Sequence, residues 1–175
     1  MCGIAGMYYY RSPNRVDETT LTRMRDTMIH RGPDGAGNWI SDTGHIGLAH
    51  RRLSIIDLST SAAQPMSNQE QTIWVTFNGE IYNHLALRSE LKEAGYQFQT
   101  DHSDTEVLVH GYRQWGIDKL LSKLEGDYGF ALWDTLEESL YLVRDRVGVK
   151  PLYFTTQQGM IAFASEIKAL VVHPD

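Results

Sequence analysis

Residue 2 is the only cysteine of this 175-residue chain, and it stands directly behind methionine in Met1-Cys2-Gly3-Ile4-Ala5-Gly6. Removing that methionine puts a thiol and an α-amine on one residue. The reference pKa values are about 8.5 for a thiol and about 7.7–8.0 for an α-amine, so near neutral pH each is partly in its reactive form. The amine can take the thiol proton, directly or through one water, and return a proton to a leaving amine. The plain alternative is a small buried residue, since unpaired cysteine is among the most buried types. Position two is a poor place for that, because chain ends fray unless a sheet holds them.

Other residue types along the chain have chemistry to offer. Asn78-Gly79-Glu80 follows the apolar run Ile73–Phe77. An Asn-Gly pair is a strong turn signal. It can also supply an amide side chain and an exposed backbone N–H to a developing oxyanion. Arg51 and Arg52 sit among strand-forming residues. Each reads as surface charge or as a fork for a carboxylate, which an arginine grips through two parallel hydrogen bonds. Asp104 suits the first turn of a helix, where a carboxylate offsets the dipole, and it suits an ammonium partner equally well. The 7 histidines show no His-Glu-x-x-His and no compact zinc-like spacing, so no metal is expected. Gly32, Gly35 and Gly37 do not match a phosphate-binding pattern.

These residues need elements to hold them. Leu21, Met24 and Met28 mark one helix, ending before Gly32-Pro33. Asn83 caps a second carrying Leu87, Leu91 and Ala94, with Gly95 beyond it. Ser103-Asp104-Thr105-Glu106 reads as a capping box ahead of Val107, Leu108, Tyr112 and Trp115. A fourth stripe runs through Ile117, Leu120, Leu121 and Leu124 to Gly126. Strand-like runs are Ile4–Tyr10, Ile46–His50, Leu53–Asp57, Ile73–Phe77, Tyr128–Asp134, Leu140–Arg144 and Ile161–Ala164. Tyr8–Tyr10 reads as half-buried strand, and residues 132–142 as a hairpin. Strands, helices and strands again predict mixed α and β structure with largely antiparallel pairing.

Length fits one domain with a full core. The formal charge of −6 disfavours nonspecific nucleic-acid binding, which needs clustered Lys and Arg. One cysteine makes no internal disulfide, and no basic leader or apolar run of membrane length is present. The cytoplasm is the expected compartment, with neither nucleic acid nor membrane as partner.

Taken together, the motifs resemble the glutaminase domain of class II glutamine amidotransferases, the N-terminal-cysteine branch of the Ntn hydrolases. The opening Met-Cys-Gly-Ile-Ala-Gly is shared by several members. His30-Arg31-Gly32-Pro33-Asp34, Arg52-Leu53-Ser54-Ile55-Ile56-Asp57 and Asn78-Gly79-Glu80-Ile81-Tyr82-Asn83 look like the asparagine synthetase subgroup. So do the segments Arg144–Tyr153 and Ser165–Leu170. A Trp-Ala-Thr-His-Gly-like segment of the sugar-phosphate and purine-pathway members is absent. The resemblance runs from residue 2 to about residue 170, and its ordered motifs make chance agreement remote.

The resemblance implies an α+β fold, the four-layer αββα sandwich with two antiparallel sheets between helical layers, over residues 1–175. It implies Cys2 as nucleophile with its α-amine as base, and Asn78 with the Gly79 N–H as oxyanion hole. Arg52 takes the glutamine α-carboxylate, Leu53 and Ile55 add backbone contacts beside it, and Glu80 and Asp104 take the α-ammonium group. The expected reaction is hydrolysis of L-glutamine to glutamate and ammonia without cofactor or metal. ATP and magnesium are expected only in a synthetase domain, which is expected to be absent from this chain, as in a truncated N-terminal domain or a subunit with a separate partner. That domain, or a separate subunit, is expected to dock near Arg144–Tyr153. The rival expectation is a catalytically weak glutamine-binding module that regulates such a partner.

Overall fold

The computed structural model describes residues 1–54 and 62–174. Its centre is two stacked antiparallel sheets. The first contains β1 (Gly3–Tyr9), β2 (Gly35–Ile40), β3 (Ile46–Arg52), β8 (Tyr153–Gln157) and β9 (Met160–Ala164), in the order β2-β3-β1-β9-β8. The second contains β4 (Met66–Ser67), β5 (Ile73–Ile81), β6 (Gly126–Asp134) and β7 (Ser139–Arg144), in chain order. Helices α1 (Glu18–Asp26) and α4 (Ile167–Val171) cover the outer face of the first sheet, and α2 (His84–Glu93) and α3 (Thr105–Lys123) cover the second. The expected four-layer αββα arrangement is therefore present.

Alternation along each strand sorts the side chains into three cores. On β1 and β3, Ala5, Met7 and Ala49 pack against Leu21, Met24 and Met28 under α1. From the opposite faces, Ile46, Leu48 and Phe163 meet Ala131 and Trp133 between the sheets. Val75, Phe77 and Ile81 of β5 face outward onto Leu87, Leu91 and Val107 of α2 and α3. This parity directs the even-numbered residues of β1, and Cys2 just before them, into the space between the sheets. It directs Thr76 and Asn78 of β5 into the same space, where the Thr76 hydroxyl donates to the Ala49 carbonyl at 3.0 Å.

Several local expectations are corrected. Asn78-Gly79 is no turn: β5 runs straight through it, pairing Asn78 with Gly129 and Gly79 with Tyr128. Asn83 precedes α2, but its side chain does not cap it. Its Nδ2 donates to the Lys123 carbonyl and its Oδ1 accepts the Glu125 N–H, tying α2 to the α3–β6 junction. The capping box at 103–106 does not form either. Asp104 turns to the Ile81 N–H, and Glu106 accepts from the N–H groups of Gln99 and Thr100. Gly116, at φ 74°, kinks α3 between the third and fourth apolar stripes, and Gly126 opens β6 rather than closing a helix. Met28 lies beyond the end of α1 yet is fully buried. Tyr8 and Tyr9 are half-buried in β1, while Tyr10 is exposed past its end.

The short or glycine-rich strands β2, β4 and β8 carry no alternation that marks them in sequence. Of the Leu53–Asp57 run, Leu53 and Ser54 are not in a strand, and the rest lies outside the described residues. The 132–142 hairpin is present, with Asp134 opposite Ser139.

Candidate active site

A cavity of about 150 Å³ opens at the end of the sandwich where β1 begins. It is small beside the roughly 300–1,000 Å³ of drug-sized ligand pockets, and it suits a molecule the size of one amino acid. Cys2, Arg52, Leu53, Asn78, Gly79, Glu80 and Asp104 all line it. Ile55 lies outside the described residues. Ala62 and Gln64, which the sequence did not single out, line it as well, together with Met1, Thr105 and Lys150.

The Cys2 thiol faces the Leu53 backbone, with the Leu53 N–H 3.4 Å from Sγ and the Leu53 carbonyl 3.7 Å from it. Burial pushes the thiol above its ordinary value. The Leu53 hydrogen bond, the N-terminal charge and Arg52 pull it down by less. Such a thiol is protonated at neutral pH and needs a base beside it to attack anything.

Opposite the thiol lies the edge of β5. The Phe77 N–H donates to Gln64 Oε1 at 2.6 Å and the Ile81 N–H to Asp104 Oδ2 at 3.0 Å. Both bonds point away from β6. Residues two apart on a strand share a hydrogen-bonding direction, so the Gly79 N–H between them points into the same cavity. Asn78 is 1% exposed, and its Nδ2 has no hydrogen-bond partner among the described residues. A buried donor left unpaired costs about 1–3 kcal/mol, so its place at a cavity wall demands a reason. The glycine is required by packing, because a Cβ at position 79 would lie 2.3 Å from the Asp127 carbonyl oxygen. Two donors, one from a side chain and one from the main chain, thus come from adjacent residues that line the cavity.

Charged groups complete the walls. Burial pushes the Asp104 carboxyl above its ordinary value, with the Ile81 N–H and His84 pulling the other way. Glu80 is exposed at the mouth, and Arg52 is half-buried at the end of β3. Two carboxylates and one guanidinium match the two charged ends of an amino acid. Arg51 is not the surface charge that sequence allows. It is 8% exposed, donating to the Gly32 carbonyl at 2.9 Å and pairing with Asp26 at 3.5 Å. Among the described residues no cluster of three or more His, Cys, Asp or Glu side chains is close enough to hold a metal ion.

All 175 residues match the family described as a glutamine amidotransferase domain. The chain belongs to that family. Asparagine synthetase [glutamine-hydrolyzing] 1 of Bacillus subtilis is 42% identical over 174 residues, covering 98% of this chain and 27% of that protein. Asparagine synthetase B [glutamine-hydrolyzing] of Escherichia coli is 41% identical over 98% of this chain and 30% of its own length. Amidase chry2 of Gibberella zeae is 38% identical over 98% of this chain and 26% of its own length. The chain thus spans under a third of each of these relatives. A solved glutamine phosphoribosylpyrophosphate amidotransferase of B. subtilis, complexed with ADP and GMP, aligns at TM-score 0.77 and 23% identity. That match covers 98% of this chain and 43% of that one, and it speaks to the fold alone.

Within this amidotransferase domain, two distant motifs meet under the cysteine. Arg31 Nε donates to the Cys2 carbonyl at 2.9 Å, and its NH1 pairs with Glu166 at 3.1 Å. Glu166 also receives His30 and Lys168. Burial alone raises its carboxyl, but these three partners outweigh that and hold it at about 2. Asp34 Oδ2 accepts the Ser54 N–H at 2.8 Å, holding the segment after Arg52. The Arg144–Tyr153 segment is held as a fixed loop. Asp145 accepts the N–H groups of Val149 and Lys150, and Arg144 donates to the carbonyls of Gly148 and Lys150. The loop presents Val147, 88% exposed, to solvent and Lys150 to the cavity. No helix among the described residues is long and apolar enough to cross a membrane.

Proposed function

We propose that this domain hydrolyses L-glutamine to L-glutamate and ammonia through a glutamyl thioester on Cys2. The observation that carries the reading is the unpartnered Asn78 amide and the Gly79 N–H converging on the cavity that the Cys2 thiol also faces. With Met1 removed, the α-amine of Cys2 takes the thiol proton. Sγ attacks the side-chain carboxamide carbon, and the oxyanion settles between Asn78 Nδ2 and the Gly79 N–H. As the C–N bond breaks, the amine returns its proton to departing ammonia. Water, activated by the same amine, adds to the thioester carbonyl, and the C–S bond breaks to release glutamate. Arg52 takes the α-carboxylate while Asp104 and Glu80 take the α-ammonium group, which fixes the substrate as a whole amino acid. This half-reaction uses no cofactor.

The relatives named as glutamine-hydrolyzing asparagine synthetases support a wider role, in which the ammonia serves an asparagine-synthetase-type amidation. The synthetase part, with its ATP and magnesium, docks against the Arg144–Tyr153 loop, whose exposed Val147 and Val149 form an apolar contact and whose Lys150 reaches the cavity. The cytoplasm keeps the single thiol reduced for this work. One observation favours the rival reading of a binding module for the unprocessed form: Met1 itself lines the cavity. While it remains, the Cys2 nitrogen is an amide without useful basicity, and the domain binds glutamine without turning it over.

The test is glutamate release by the Met1-free chain, with L-glutamine, L-asparagine and simple amides as substrates. Release from L-glutamine alone is the expected result. Turnover of simple amides at a similar rate would overturn the assignment of Arg52, Asp104 and Glu80.

A further inference from the structure

We propose that His50 and Gln64 are positioning residues that clamp the backbone carbonyl and N–H of Phe77 and so hold the Asn78 amide and Gly79 N–H as a donor pair. The catalytic meaning of that pair rests on the glutamine-hydrolysis reading; the clamp itself rests on geometry.

Strand β4 pairs with β5 only at Met66–Val75 and Ser67–Trp74. Past that point the outer edge of β5 has no paired strand among the described residues, just where the site begins. Two side chains stand in for the missing strand. Gln64 Oε1 accepts the Phe77 N–H at 2.6 Å, and His50 Nε2 lies 3.1 Å from the Phe77 carbonyl oxygen. A carbonyl only accepts, so Nε2 carries the proton. Nδ1 is then a bare lone pair, and it is buried without a partner among the described residues. Burial pushes the His50 ring down to about 4, so it is neutral and this tautomer is the one present at neutral pH.

The Phe77 carbonyl belongs to the peptide unit that ends at the Asn78 nitrogen. A hydrogen bond on that oxygen limits rotation of the unit, and with it the direction of the Asn78 side chain. Gln64 is itself anchored, its Nε2 donating to Thr105 Oγ1 at 3.2 Å. The next residue back, Asp104, takes the Ile81 N–H. The start of α3 is therefore tied to β5 on both sides of Gly79, leaving its N–H in the gap. Gln64 can come this close because β2 has a glycine opposite it: a Cβ on Gly37 would lie 2.1 Å from the Gln64 carbonyl oxygen. A histidine buried with one ring nitrogen unsatisfied costs stability. Its placement is explained by what it holds rather than by packing.

The test uses the Met1-free chain with His50→Leu, His50→Gln and Gln64→Leu. A glutamine amide can put an N–H where Nε2 was; leucine cannot. Misplacing a reacting geometry by about 1 Å costs up to roughly 100-fold. His50→Leu is therefore expected to lower kcat by about 10- to 100-fold with KM nearly unchanged, and His50→Gln to recover most of the loss. In 1H–15N spectra the Asn78 side-chain and Gly79 backbone resonances should move in His50→Leu and return in His50→Gln. If His50→Leu does not fold, Gln64→Leu, from a half-buried position, should show the same kcat loss and the same moved resonances. Unmoved resonances, an unchanged kcat, or equal losses in His50→Leu and His50→Gln would overturn the clamp. If the unsubstituted chain released no glutamate while the resonances moved and returned as expected, the hydrolysis reading would fall and the clamp would stand.

Discussion

Asn78→Ala separates catalysis from stability, because the structure predicts opposite consequences for the two. An ordinary buried amide is bonded, and truncating it leaves partners stranded. Asn78 Nδ2 has no partner among the described residues, so removing it breaks no such bond and relieves an unsatisfied donor worth about 1–3 kcal/mol. Against that stand lost packing and a small void. The two effects offset, and the unfolding free energy should change by less than about 1 kcal/mol. The rate is another matter. Loss of one oxyanion donor costs about 10²–10³ in kcat, or roughly 2.7–4 kcal/mol of transition-state stabilisation. Affinity for glutamate should hold, since the oxyanion exists only near the transition state. The assays are glutamate release, urea unfolding, and titration of glutamate into the variant. A variant that loses stability by more than about 2 kcal/mol, or loses product affinity in step with kcat, would refute the reasoning and make Asn78 a structural residue.

Two further outcomes follow from the same site, and a third from buried titratable groups outside it. A tag or retained Met1 should abolish turnover, because the Cys2 nitrogen becomes an amide and Met1 stays in the cavity; equal activity before and after cleavage to Cys2 would remove the amine from the mechanism. Arg52→Lys should cut kcat/KM for glutamine by about 5- to 150-fold, the equivalent of roughly 1–3 kcal/mol, since lysine keeps the charge and loses the fork; an unchanged value would take Arg52 out of substrate binding. Acid should weaken the fold in two windows. Burial holds His50 at about 4, against an ordinary 6.5, so the unfolded chain binds a proton in that window that the folded chain refuses. Stability therefore falls by up to about 3 kcal/mol as pH drops from about 6.5 to 4, and His50→Gln should lack this part of the slope in urea unfolding. Burial alone would raise Glu106, but His110, Thr100 and the Gln99 N–H bring it to about 2. Its contribution is present above about pH 4.5 and is lost as pH falls towards 2, so Glu106→Gln should flatten only that lower window.

What sequence could reveal tracks the range of the interaction behind it. Strand-like apolar runs marked β1, β3, β5, β6, β7 and β9, and apolar stripes marked α1, α2 and both halves of α3, because burial of one face dictates spacing; the short α4 carried no such stripe. The misreadings share one cause, a local preference overruled by a distant partner. Asn78-Gly79 has turn chemistry, yet the glycine serves the close approach of β6, 2.3 Å from where a Cβ would stand. Asn83 and Asp104 have capping chemistry, yet Asn83 is used by residues 123 and 125, and Asp104 by the Ile81 N–H. Gln64 carried no signal at all. Its role depends on β4 ending where it does, which no local window contains.

The cysteine shows the same dependence from the other side. A nucleophile at position two ought to be the least reliably placed residue of a chain, since termini fray. Here the first strand is also the central one, with β3 on one side and β9 on the other. Gly3 already pairs with Arg51, and the Ile4 N–H donates to Ser165 Oγ at 3.0 Å. Arg31 then takes the Cys2 carbonyl, and Glu166 takes Arg31. Arg31 and Leu53, which contact Cys2, lie 29 and 51 residues from it, and Glu166 lies a further 135 residues beyond Arg31, so the terminal thiol is held only when the chain is folded almost to its last helix. Glu166→Gln tests that chain of support. It keeps the size of the side chain while removing the charge that Arg31, His30 and Lys168 share, so the Cys2 carbonyl loses its firm partner before the fold is lost. Slower alkylation kinetics are not the expected sign; a better-exposed Cys2 should react faster with a small alkylating agent, even as glutamine turnover falls. Unchanged alkylation and unchanged turnover would show that the sheet alone, without Glu166, is enough to hold the end of the chain.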